Sequence, residues 1–144
     1  MKSRTDIAVG FKKKGYNCAQ AVACTYCDLV GLDEKTMFKV MEGYGTGLGS
    51  TEGTCGAIIG AAALAGMKNS TANLETPDSK ASTAKLSREI LSRFKKEVGA
   101  TICREIKGIE TKIVLRPCND CVYEGAKVVE EVLFPDLFSE DSEK

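Results

Sequence analysis

The chain of 144 residues has no histidine and no tryptophan. Without histidine there is no imidazole base, no Cys–His dyad and no mixed Cys/His metal site. A metal would have to rely on cysteine, carboxylate or backbone ligands. An excess of either charge is also missing: 20 acidic and 20 basic residues give a formal net charge of zero. No basic stripe runs along the chain, which argues against nucleic acid as a partner. No run reaches the roughly 18 apolar residues that a membrane helix needs, so no membrane insertion is expected. The start, Met-Lys-Ser-Arg-Thr-Asp, carries no apolar segment of the kind found in secretory signals. The expectation is a soluble, cytoplasmic protein.

What the chain does have is cysteine: Cys18, Cys24, Cys27, Cys55, Cys103, Cys118 and Cys121. In a reducing compartment, cysteines more often serve catalysis, redox sensing or metal binding than structural disulfides. An odd count leaves at least one thiol unpaired.

The chain is organised around Gly43-Tyr-Gly-Thr-Gly-Leu-Gly-Ser-Thr-Glu-Gly-Thr-Cys55-Gly-Ala-Ile-Ile-Gly60. A glycine-rich loop runs into a helix of very small residues, with Cys55 at the junction. A thiol at a helix start sits among orphan N–H groups, which lower its pKa and make it a better nucleophile and metal ligand. The alternating glycines faintly resemble a dinucleotide loop, but that motif follows a strand and here a helix precedes it. Gly56 and Gly60 read as a close-packing pair inside the protein.

Helical spacing recurs elsewhere. Segments 3–14, 18–30, 34–42, 56–66, 79–98, 102–107 and 118–134 read as helices, with Ile7, Ala8 and Phe11 on the first stripe and Ile90, Leu91, Phe94 and Val98 on the fifth. Asn17 and Asp33 are caps. Residues 68–77 read as a polar, mobile linker, and 108–116 as extended. Strand pairs and internal repeats are absent. The expected fold is all-α: a compact single-domain bundle of about six or seven helices, residues 1–138, around a small-residue central helix. An acidic, frayed tail is expected at 139–144.

Two CxxC pairs, Cys24/Cys27 and Cys118/Cys121, bring a four-cysteine zinc site to mind. Cys24 and Cys27 fall mid-helix rather than in a turn, so they read as packing residues. Cys118 and Cys121 sit at a helix start behind Pro117, as redox CxxC motifs do. A thioredoxin-like site would need a βαβ context, which is missing. Cys18 opens its own helix, and helix geometry points it away from Cys24 and Cys27. Cys18, Cys55 and one of Cys118 and Cys121 thus share one arrangement, a thiol at the positive end of a helix. Lys12, Lys13 and Lys14 read as a solvated helix end. Asp28, Glu42 and Glu52 read as surface acids, and Arg104 either steadies the neighbouring Cys103 thiolate or faces solvent.

Asn17-Cys18-Ala-Gln-Ala-Val, Cys55-Gly-Ala-Ile-Ile-Gly60, Cys103-Arg-Glu-Ile-Lys-Gly108 and Cys121 with its helix together resemble the C-GCAxxG-C-C proteins. These are small bacterial and archaeal proteins named for four recurring cysteines. The resemblance spans about residues 15–133. Here the motif reads Cys-Gly-Ala rather than Gly-Cys-Ala, with Gly53 two residues upstream. It implies redox activity without a named reaction, and it implies Cys18, Cys55, Cys103 and Cys121 as catalytic residues or metal ligands, with Cys118 an alternative fourth.

Two mechanisms suit such a set. The four thiolates hold an iron–sulfur cluster, with the backbone near Gly53 and Gly56 reaching its sulfurs. Alternatively, cysteine pairs cycle between dithiol and disulfide, with Cys55 as attacker. Either would make the chain an oxidoreductase or electron carrier serving an unnamed redox partner protein. The competing non-enzymatic reading is a zinc or other metal-binding module of structural or sensory role; the blandest is a helical interaction domain with buried cysteines and no cofactor. The small-residue helices suit a homodimer as well as a tight monomer.

Overall fold

The computed structural model describes residues 1–138. Among these there are seven α-helices and no strand: α1 (Thr5–Lys14), α2 (Cys18–Thr25), α3 (Glu34–Met41), α4 (Gly56–Asn69), α5 (Lys80–Val98), α6 (Cys103–Lys107) and α7 (Cys118–Val132). The fold is therefore all-α, as expected. The acidic tail at 139–144 lies outside the described residues.

The small-residue helix α4 packs against α2, α5 and α7. Its glycines set how closely they approach. A Cβ on Gly60 would lie 2.6 Å from the Ala19 carbonyl oxygen, and one on Gly125 of α7 would lie 2.9 Å from Ala57 Cβ. The starts of α2, α4 and α7 meet at one cavity, which places the thiols, while α5 begins beside the far end of α4. Larger side chains complete the core: Tyr26, Met37, Leu64, Ile90 and Phe94 are fully buried. Each large apolar side chain so buried contributes about 2 kcal/mol through surface removed from water.

Several boundaries differ from the sequence reading. The second helix stops at Thr25, and Cys27–Val30 forms a separate 3₁₀ turn ended by Gly31 at φ 75°. Cys24 and Cys27 are thus at a helix end, not mid-helix, although both are buried in the core. Helix α4 runs through Gly66 to Asn69, because a single glycine in a well-packed helix costs only about 1 kcal/mol. Residues 108–116 form turns rather than a strand. Gly108, at φ 70°, presses against the Ile113 backbone, and no neighbouring chain edge is available to pair with. Ile7 and Leu91 point outward, at 52% and 39% exposure; Ala8 and Phe94 carry those faces instead.

A buried polar cluster ties the N-terminus to α7. Tyr26 donates its hydroxyl proton to Glu130 Oε2 at 2.5 Å, and the Arg4 N–H donates to the same oxygen at 2.8 Å. The Arg4 guanidinium reaches the Thr25 carbonyl at 2.9 Å and Asp28 at 2.7 Å. Burial, and then the bond to Glu130, push the Tyr26 phenol well above its ordinary range. Tyr26→Phe strips a donor from a buried carboxylate. It is expected to cost about 2 kcal/mol in urea unfolding, since hydrogen bonds to charged groups are worth about 1.5–3 kcal/mol.

Candidate functional site

Four helix starts deliver five thiols to one place. Cys18 is the first residue of α2, fixed by a reciprocal cap: the Gln20 N–H donates to Asn17 Oδ1 at 2.8 Å and the Asn17 N–H to Gln20 Oε1 at 2.9 Å. Asn17 is in turn anchored to the Glu42 carbonyl at 3.0 Å. The glycine loop lies against this cap so tightly that a Cβ on Gly45 would come within 2.6 Å of Asn17 Cβ. Here the loop's glycines serve close approach between backbones rather than phosphate binding.

Cys55 is the residue that caps α4. Its N–H donates to the Thr101 carbonyl at 2.8 Å, and the Cys103 N–H donates to the Gly53 carbonyl at 2.9 Å. These bonds flank an isolated antiparallel bridge between Thr54 and Ile102. The bridge brings the starts of α4 and α6 side by side. Gly47, at φ 57°, closes over them, its missing Cβ leaving room for Cys103 Cβ. Pro117 precedes α7, whose first residue is Cys118; Cys121 follows one turn later.

Cys18, Cys55, Cys103, Cys118 and Cys121 all line a cavity of about 90 Å³, together with Lys12, Lys107 and Arg116. No carboxylate lines it. Cys55, Cys103 and Cys121 are buried; Cys18 and Cys118 are half-exposed. All seven cysteines are free thiols.

Four of the thiols fall into two neighbouring pairs that shift each other's titration. Cys18 pairs with Cys118, and the shared hydrogen bond holds Cys118 down at about 5, aided by Lys107 and Lys12. The same bond, with burial, pushes the Cys18 thiol far up. In the second pair, the bond from Cys121 lowers Cys55, as do the backbone N–H groups of Ala57 and Ile58 at the start of α4; Cys121 is pushed far up. In each pair one thiol is lowered and its neighbour raised. Cys103 stands outside both pairs, and burial raises it.

The structure therefore brings together the four expected thiols and the alternative, Cys118. Gly53 and Gly56 are close by in a supporting role: Gly53 accepts from Cys103, and Gly56 packs with its Cβ position 3.2 Å from Cys18 Cβ. Cys24 and Cys27 lie elsewhere, beside Asp28 and Glu34. Burial first, then Cys27 and Glu34, push Cys24 up to about 12. Asp28 pairs with Arg4 at 2.7 Å, and Arg104 with Glu110 at 3.0 Å; neither these nor Glu42 and Glu52 line the cavity.

The cations are what the sequence reading missed. Lys12 is not simply a solvated helix end. Lys107 follows Cys103 by four residues on one helix face, a spacing that places both on one side. Nothing local in the sequence connects Lys12 or Arg116 to the cysteines.

A model of the family described as "Putative redox-active protein (C_GCAxxG_C_C)" matches residues 16–132, most of the chain. None of the curated proteins and none of the solved structures compared with it matches.

Proposed function

The chain belongs to the C_GCAxxG_C_C family of redox-active proteins, and on that premise we propose that it works by dithiol–disulfide exchange, with Cys18 and Cys118 as the working pair. The observation that carries this reading is placement: Cys18 and Cys118, the two half-buried thiols of the set, line one cavity with Lys12 and Lys107, and Cys118 is held low at about 5. Cys118 attacks an incoming disulfide, and the bond between its two sulfurs breaks. One thiolate leaves, and a mixed disulfide remains on Cys118. Cys18 gives up its proton and attacks the Cys118 sulfur. The second thiol leaves carrying that proton, and a Cys18–Cys118 disulfide stays behind. We assign the attack to Cys118 rather than Cys55 because Cys55 is 5% exposed. The inner pair, Cys55 and Cys121, then serves as a second dithiol behind the first.

The test is a trap. Cys18→Ser keeps a hydroxyl donor beside Cys118 but cannot resolve a mixed disulfide. With a small disulfide, this variant is expected to accumulate a stable adduct on Cys118, read by intact mass, while the unaltered protein passes through to an internal disulfide. Release of both thiol equivalents by the variant would contradict the assignment.

A second reading has its own observation, the donor set. Five thiols at helix starts, offset by Lys12, Lys107 and Arg116, suit an anionic iron–sulfur cluster. Cys18, Cys55 and Cys121 would hold it, with Cys103 or Cys118 as fourth ligand; bound there, it would supply one-electron transfer. Among the described residues, no group of three or more histidine, cysteine or acidic side chains is arranged to hold a single metal ion. Iron and acid-labile sulfide counts on protein purified without oxygen separate the two readings: stoichiometric iron and sulfide favour the cluster, and their absence with reactive Cys118 favours the dithiol.

A further inference from the structure

We infer that the oxidant accepted by this site is a small anionic disulfide; the inference rests on the dithiol reading above and adds the charge and size of the substrate. Two features of the cavity carry it, and neither is a thiol. The first is its set of cations. Lys12, Lys107 and Arg116 line it and no acidic side chain does. Among the described residues neither lysine makes an ion pair, while Arg116 pairs with Asp120 at 3.8 Å and donates to the Glu97 carbonyl at 3.3 Å. Asp120 offsets Arg116, so with Cys118 ionised the two lysines face one negative charge. An incoming anion completes that balance, and an incoming cation worsens it. In a concave, partly enclosed site such fields are focused, and they raise the local concentration of the matching ion.

The second feature is size. The cavity holds about 90 Å³. Sites for drug-sized ligands run to about 300–1,000 Å³. At about 10–15 Å³ per water, this one admits a group of a few heavy atoms. Cys118 is half-exposed at the mouth, and Cys55 and Cys121 lie buried behind it. One arm of a small disulfide can reach the Cys118 sulfur, whereas a disulfide embedded in a folded protein surface cannot enter. The step remains the balanced exchange already described: one disulfide is reduced to two thiol equivalents as Cys18 and Cys118 are oxidised.

The test uses the reduced full-length protein and three disulfides of nearly equal size: those of 2-mercaptoethanesulfonate (anionic), 2-mercaptoethanol (neutral) and cysteamine (cationic). Each rate of thiol loss is divided by the rate of the same disulfide with a free small thiolate, which removes differences in leaving-group chemistry. The anionic probe is expected to be favoured over the neutral one by about tenfold or more, with the cationic probe slowest. High salt should flatten the series. Lys12→Glu with Lys107→Glu should invert it; if that variant does not fold, the single change Lys107→Met should narrow the anionic preference. Equal normalised rates, or a cationic preference, would overturn the inference while leaving dithiol exchange standing. Failure of all three probes to form the Cys18–Cys118 disulfide would instead sink the dithiol reading itself, and the inference with it.

Discussion

Cys118→Ser is expected to remove the thiol that stays ionised in mild acid. Cys118 is held at about 5, against an ordinary 9.0, by the Cys18 hydrogen bond and then by Lys107 and Lys12. At pH 6 such a group is about 90% thiolate, whereas an ordinary thiol is about 0.1%. The difference in thiolate population, close to a thousandfold, does not pass fully into rate. Nucleophilicity falls with pKa at a Brønsted slope of about 0.4–0.5, which takes back a factor of about 40–100 over four units. The net expectation is that alkylation at pH 6 slows by about tenfold in Cys118→Ser. The larger effect is on the pH profile. In the unaltered protein the fast phase should hold level from pH 9 down to about pH 6 and fall through pH 5. In the variant that phase should be gone, and the remaining reactivity should rise steeply with pH. A fast phase surviving in Cys118→Ser would place the activated thiolate elsewhere. Cys55, the other lowered thiol, would be the first to examine.

Gly60→Ala is expected to cost stability by forcing two packed helices apart. Its Cβ would sit 2.6 Å from the Ala19 carbonyl oxygen and 3.2 Å from Val22 Cβ. The obstacle is backbone, which cannot rotate aside, so α2 and α4 must separate. Alanine gains about 1 kcal/mol over glycine in helix propensity. Overpacking of a tight core costs about 1–3 kcal/mol, occasionally more, and at a backbone contact this close the upper part of that range applies. A net loss of about 2 kcal/mol is expected in urea unfolding. Ala19 follows Cys18 directly, so the same shift should also disturb the Cys18–Cys118 pair and slow the acid-stable alkylation. Gly66→Ala is the control, in the same helix with nothing within 4 Å of the added carbon. It should stabilise by about 0.5–1 kcal/mol through propensity and the unfolded chain. Equal effects at the two positions would mean that α2 and α4 are not packed as described.

Much of the fold was legible because helices announce themselves locally. Asn17 and Asp33 cap where a side-chain acceptor precedes a helical stripe, and Cys55 and Cys118 stand where glycine or proline forces a helix to begin. The convergence of three helix starts could be suspected from Cys18, Cys55 and the Cys118/Cys121 pair, whereas the start at Cys103 came only with the structure. The misplacements share a cause. Ile7, Leu91 and the 108–116 segment are apolar by composition, but their orientation depends on what packs against them, and hydrophobicity along a sequence does not record that. The site behaved similarly. The thiols were visible as types and spacings. Their pairing was not, because it arises from side-chain geometry between α2 and α7 and between α4 and α7. Lys12 and Arg116 reach the cavity only through the way α1 and the 108–116 turn fold back on it, so nothing in the linear pattern marks them.

The measurement that bears most directly on the central claim is disulfide mapping after limited oxidation. Fully reduced protein is treated with one equivalent of a small disulfide, its remaining thiols are blocked in acid, and the linked peptides are identified by mass spectrometry. The account predicts a Cys18–Cys118 link as the first product, with Cys24, Cys27 and Cys103 still blocked as thiols. A first product joining Cys24 to Cys27, or Cys18 and Cys118 both recovered as free thiols, would contradict it.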